Sequence, residues 1–145
     1  MTDDALIDTT LIVYAYDKSE PKKRRIAKYI VEDTFKGRRR FFVSNQILGE
    51  LYTVLTSKIE NPIPKEKANV IVSGIIESED WVKISYTEKT IKRAMKTSEE
   101  FKIHFWDALI SETMLESSIF TIYTENEKDF SKIPNMKVIN PFKEK

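Results

Sequence analysis

Short apolar runs recur along this chain, each followed by a stretch of helical periodicity, and this alternation constrains the fold more than any other feature. Ala5-Leu6-Ile7, Phe41-Phe42-Val43-Ser44, Trp81 to Ser85, Phe120 to Thr124 and Val138-Ile139 read as strands. Between them the pattern predicts helical turns from Thr9 to Tyr16, then helices over 21–35, 45–58, 65–78 and 88–101, and one opening at Phe105. Pro21 suits a first helical position, Gly37 a stop, Asn45 and Thr87 suit caps, and Asn61-Pro62-Ile63-Pro64 breaks the chain. Strands alternating with helices imply an α/β fold, a parallel sheet with helices on both faces. The 145 residues suit one domain with one core, spanning 1–145.

Composition removes several classes. No apolar run approaches the ~20 residues of a membrane span. Met1-Thr2-Asp3-Asp4 is acidic and lacks the basic region and cleavage site of a signal peptide, so a cytoplasmic location is expected. With no cysteine there are neither disulfides nor thiolate metal sites. Basic and acidic residues nearly balance, 24 against 23, yet Lys22-Lys23-Arg24-Arg25 and Arg38-Arg39-Arg40 are dense clusters. Such runs are commonly solvated faces, but two in one small domain suggest a phosphate-bearing partner.

Asp107 is the residue that most suggests chemistry. At about 100° per residue it stacks with Ser111, Met114 and Ser118, in the face that should be buried, while Glu112 and Glu116 fall on a solvent-like face. A first-turn aspartate is favoured by the helix dipole, which explains its place along the helix but not its face. A buried carboxylate needs a metal, a cation or a set of hydrogen bonds.

Open α/β sheets bind ligands beyond the carboxyl ends of their strands. Asp8 ends the first strand, Ser44 leads toward Glu50, Asp107 lies in a first helical turn, and Thr124 leads into Glu125-Asn126-Glu127-Lys128-Asp129. Each acid has an ordinary structural use. Asp8 can cap a helix, Glu50 can cover core with its stem, and Asp129 can close a loop. Together they place three or four carboxylates on one rim. Packed carboxylates repel, and a divalent cation relieves that repulsion. Oxygen ligands select Mg²⁺ or Mn²⁺, and phosphodiester hydrolysis fits, with one or two ions activating water and neutralising charge on the phosphate.

Other chemistries lack their residues. His104 is the only histidine, which excludes a paired-histidine ribonuclease. Gly37, Gly49 and Gly74 form no phosphate loop. A phospho-acceptor receiver needs an aspartate ending the third strand, where Val82-Lys83-Ile84-Ser85 has none.

Four segments in order, Leu6 to Ala15, Val43 to Tyr52, Phe105 to Ile110 and Tyr123 to Phe130, resemble the PIN-domain ribonucleases, especially the toxins of VapBC-type toxin–antitoxin pairs. The closing Val138-Ile139-Asn140-Pro141-Phe142 is similar too. The resemblance implies a five-stranded parallel sheet, Mg²⁺ or Mn²⁺, endonucleolytic cleavage of RNA, an antitoxin protein partner and a homodimer, with no membrane association. By position Asp8, Glu50 and Asp107 match the family's acidic, metal-holding residues, and Thr9 matches a hydroxyl residue at the site. Thr10 stands where asparagine is common, and Asn126 where many members carry a fourth acid. Asp129, Glu125 or neither completes the set, with Thr124 and Asn126 as auxiliaries.

Three functions stay open on the sequence: a toxin ribonuclease, a housekeeping PIN nuclease of RNA processing, and a non-catalytic binding module with a decayed site.

Overall fold

A computed structural model describes residues 4–143. The acidic start at Met1, Thr2 and Asp3 and the last two positions of the expected 1–145 domain lie outside the described residues. The order is β1 (Ala5–Ile7), α1 (Thr9–Tyr14), α2 (Pro21–Phe35), β2 (Phe41–Ser44), α3 (Asn45–Ser57), α4 (Lys65–Glu77), β3 (Trp81–Ile84), α5 (Glu88–Phe101), α6 (Phe105–Glu116), β4 (Thr121–Tyr123), α7 (Glu127–Phe130) and β5 (Lys137–Ile139).

The five strands form one parallel sheet in the order β3-β2-β1-β4-β5. The strand direction reverses its progress across the sheet between β1 and β4, the switch point where α/β sheets open a crevice. α2 and α3 both pack on α1 and α4 packs on α3, while α6 packs on α5 and α7 on α6. Right-handed crossovers put these two groups on opposite faces. β1, at the centre, is buried along its whole length, and Leu6 and Ile7 have no exposed surface. The main core joins them to Leu11, Ile12, Ile47, Leu51 and Ile122, and a smaller cluster seats α5 on α6 through Ala94, Ala108 and Leu109.

Some boundaries differ from the sequence reading for identifiable reasons. Ser44, not Asn45, caps α3: its Oγ accepts from Ile47 N at 3.2 Å. Asn45 is the first helical residue, and its Oδ1 accepts from Tyr86 N at 3.2 Å, tying the exit of β3 to α3. α6 ends at Glu116, so Ser118, left-handed at φ 57°, leaves the stripe it was assigned to. Glu112 and Glu116 face α5 as polar partners: Thr97 and Thr90 donate to them at 2.9 Å each, and Arg93 pairs with both. The unpredicted helix is α7, a single turn whose N-cap is Asn126, with Oδ1 accepting from Asp129 N at 3.4 Å.

Candidate active site

Asp8 is placed by the sheet itself. Its N–H donates to Tyr123 O at 3.0 Å, extending the ladder by one residue, and its side chain then begins α1. Oδ1 accepts from Thr9 N at 2.8 Å and Oδ2 from Thr124 Oγ1 at 2.8 Å. Thr124 Oγ1 in turn accepts from Asn126 N at 3.0 Å. The carboxylate is buried, and two strand ends share responsibility for it.

Glu50 reaches the same place from α3. Thr9 Oγ1 donates to its Oε1 at 2.8 Å and Gln46 Nε2 to its Oε2 at 3.2 Å. The Gln46 amide also donates to Trp106 O at 3.1 Å, joining α3 to the first turn of α6. Asp107, half-buried on that turn, accepts from Asn126 Nδ2 at 3.0 Å. Asp8, Glu50, Asp107 and Asn126 line one cleft of about 750 Å³, together with Thr9, Thr10, Gln46, Lys58 and Trp106.

The electrostatics carry a consistent sign. Burial raises the Asp8 carboxyl above its ordinary value; hydrogen bonds from Thr124 and Thr9 oppose that, and the Glu50 charge adds to it. Asp107 is pushed up to about 7, first by desolvation, then by the charge of Asp8, by Asp129 and by Glu50. No lysine or arginine forms an ion pair with Asp8, Glu50 or Asp107 among the described residues. Their hydrogen-bond donors are all neutral.

A model of the PIN domain matches residues 5–136. The chain belongs to the PIN domain family. Solved structures with this fold include VapC20 of Mycobacterium tuberculosis, described as a sarcin–ricin loop cleaving toxin. It is 17% identical with a TM-score of 0.67, covering 88% of this chain and 93% of that one. VapBC2 of Rickettsia felis, bound to a promoter DNA fragment, is 21% identical at TM-score 0.65, covering 93% and 96%. A toxin–antitoxin complex from Klebsiella pneumoniae is 21% identical at TM-score 0.64, covering 94% and 97%. At these identities the likeness is one of fold. Comparison with curated proteins gives no match.

Within this PIN domain the other acidic candidates separate. Glu125 is drawn away from the cleft: Lys23 Nζ lies 2.5 Å from its Oε2, and Tyr14 Oη donates to its Oε1 at 2.8 Å. Asp129 does not line the cleft but stays beside Asp107: Asn126 Nδ2 is 3.5 Å from its Oδ2, and its carboxyl raises Asp107 both as a hydrogen-bond partner and as a charge. His104 is exposed before α6 and is likewise absent from the cleft wall. Gln46 was missed by sequence reasoning. Its signal was available: it lies four residues before Glu50, one helical turn away on the same face.

Among the described residues, no three histidine or carboxylate side chains converge as a ready-made metal cage. The donor set still suits a hard cation. Asp8, Asp129 and Glu50 all raise Asp107, and among the described residues no cation pairs with Asp8, Glu50 or Asp107. Mg²⁺ keeps several waters and is held through one or two carboxylates, and Asp8, Glu50 and Asp107 would hold it directly or through those waters.

The arginine run at 38–40 does not belong to this site. Arg40 immediately precedes Phe41, the first residue of β2, so the run lies at the amino ends of the strands, opposite the cleft. Arg39 Nε donates to Asp33 at 3.1 Å, Arg38 lies 3.8 Å from the same carboxylate, and Arg40 lies 3.6 Å from Asp4. Of the two basic runs, one or both expected to meet a phosphate, this one is partly paired and lies away from the cleft. Among the described residues no helix is long and apolar enough to cross a membrane.

Proposed function

We propose that this PIN domain is a metal-dependent endoribonuclease that hydrolyses RNA phosphodiester bonds, using Mg²⁺ or Mn²⁺, and that it is the toxin of a toxin–antitoxin pair. The observation carrying the nuclease reading is the meeting of Asp8, Glu50 and Asp107 in one open cleft, supplied only with neutral donors. A divalent ion bound there would neutralise the scissile phosphate and make an attacking water more acidic. Asp8, Glu50 and Asp107 are the residues to hold it, directly or through water.

The remaining residues have separable tasks. Thr124 and the Thr9 N–H fix both oxygens of Asp8, so its orientation does not depend on the ligand. Thr9 and Gln46 hold Glu50 pointing along the cleft, where it can orient water and accept its proton. Asn126 restrains Asp107 without adding to the charge that Asp8, Glu50 and Asp129 already bring to it. Trp106, 49% exposed at the cleft wall, offers an indole face to an unstacked base. Lys58 on the same wall offers charge to a neighbouring phosphate.

Support for the toxin reading comes from the fold. The similar solved structures include a toxin and complexes of toxins with antitoxins, and this chain spans nearly the whole of those partners. We propose an antitoxin protein as the partner and a homodimer as the toxin's own assembly. The test is incubation of purified protein with RNA in Mn²⁺ or in chelator. Fragments that appear only with Mn²⁺ support the reading, and intact RNA in both defeats it. Co-purification with a small protein expressed from an adjacent reading frame tests the toxin assignment separately.

A further inference from the structure

We propose that Lys18, Arg24, Arg25 and Lys28 form a phosphate-binding pocket that holds the RNA strand outside the catalytic cleft. The inference deepens the ribonuclease reading and takes the identity of its ligand from it. A hollow of about 540 Å³ is lined by these four cations and Pro21. Arg24 and Arg25 lie one turn before Lys28 on α2, at spacings that put them on the same face as it. Lys18 comes from the α1–α2 turn. That turn is fixed by buried Asp17, whose Oδ1 accepts from Ser19 N at 3.0 Å and Ser19 Oγ at 2.6 Å.

The charge in this hollow is uncompensated. Among the described residues Lys18, Arg24 and Arg25 form no ion pair, and Lys28 reaches only exposed Glu32 at 3.9 Å. Arg24 Nε is buried and has no hydrogen-bond partner. Like charges one helical turn apart repel, so the arrangement calls for an anion. The run at 38–40, by contrast, is matched by Asp33 and Asp4.

Its position suits an RNA strand leaving the cleft. Lys23, in the same helical turn as Arg24, pairs with Glu125, and the next residue, Asn126, lines the catalytic cleft. The first turn of α2 therefore lies at the carboxyl rim of the sheet, with Arg25 and Lys28 on its exposed outer side and Lys23 turned toward Glu125. The lining also discriminates between polyanions. An acidic partner helix would anchor through apolar side chains, and Pro21 is the one apolar residue here. A phosphate needs only charge and the planar donors of arginine.

The test is binding of a labelled single-stranded RNA in chelator, measured by fluorescence anisotropy across a salt series. Arg24→Gln with Arg25→Gln is expected to weaken binding on the order of tenfold. The slope of log K against log salt should become shallower by about 1.4, two single-strand phosphate contacts. Lys92→Gln with Lys96→Gln removes equal charge from exposed α5 on the other face of the sheet and should leave the slope unchanged. A wild-type slope in the arginine variant overturns the pocket, as does equal flattening in the α5 control. If Arg24 proves necessary for folding, Arg25→Gln with Lys28→Gln, both exposed, carries the same expectation. Loss of polyglutamate binding with RNA binding intact would assign the hollow to a protein partner and overturn the proposal. Failure of Mn²⁺-dependent cleavage by the unmodified chain would instead strike the ribonuclease reading, and the two failures are read in different assays.

Discussion

Asn126 donates its side-chain amide to Asp107 Oδ2 at 3.0 Å, a neutral contact on a carboxyl that Asp8, Asp129 and Glu50 already push up. Asn126→Asp should add to that push. Without metal the variant loses the hydrogen bond and gains a like charge, at a cost of about 1–3 kcal/mol. Thermal denaturation should show a lower Tm in chelator and recovery in Mn²⁺ beyond that of the unmodified chain. An unchanged Tm in chelator would remove Asn126 from the electrostatics of the site.

Asp107 also sets a pH dependence. Its folded pKa of about 7 lies above its ordinary value of 3.8, so between these values the folded state holds a proton that the unfolded chain has released. Stability in chelator should therefore fall as pH rises from about 4 to about 7, and level off above. Asp8, raised in the same direction, adds to that slope. Denaturant titrations of the unmodified chain and Asp107→Asn at the two ends of this window check it: the variant should show the smaller change. A steeper dependence in the variant would contradict the assigned shift.

Gln46 positions Glu50 rather than reacting. Its Nε2 spans Glu50 Oε2 at 3.2 Å and Trp106 O at 3.1 Å, while its buried Oε1 has no partner. Gln46→Leu removes both contacts and the orphaned oxygen together, so global stability should change little. Outer residues of this kind typically contribute 10- to 100-fold to metal affinity or activity. A calorimetric Mn²⁺ titration should show weakening on the order of tenfold, and wild-type affinity would demote Gln46 to packing.

The arginines at 38 and 39 should matter to stability and not to RNA. Asp33 is buried, and Arg39 is its closest cation at 3.1 Å. Arg38→Gln with Arg39→Gln should cost about 1–2 kcal/mol, mostly through the one charged hydrogen bond from Arg39, because the exposed Arg38 pair is screened by solvent. The salt dependence of RNA binding should not move, which anisotropy across a salt series measures.

The strands and the acids were legible because they depend on local pattern. β1 is an apolar run and β2 is one up to Ser44, while Asp8 follows a strand end, Asp107 lies in the first turn of α6 and Glu50 in the second turn of the helix after β2. What failed depends on partners distant in sequence. The cap of α3 was assigned one residue late because Ser44 serves both as the last strand residue and as the cap. Glu112 and Glu116 looked solvent-facing because only the tertiary structure supplies Thr90, Thr97 and Arg93 from α5. Glu125 was indistinguishable from Asp129 as a fourth acid until Lys23 and Tyr14 claimed it from across the fold. A helix of one turn such as α7 is too short for periodicity to register. The basic runs read alike, yet Arg38, Arg39 and Arg40 each meet Asp33 or Asp4, whereas Arg24 and Arg25 line an open hollow.

Asp8→Asn tests the central claim most directly, because the asparagine keeps the size of the side chain and its ability to accept from Thr9 N. The measurement is the initial rate of RNA cleavage in Mn²⁺, with the Tm in chelator recorded on the same preparation. The expected result is a rate lower by on the order of 10³-fold or more, with the Tm retained or raised as a repelling charge is removed. Cleavage at the wild-type rate by a folded Asp8→Asn protein would contradict the account.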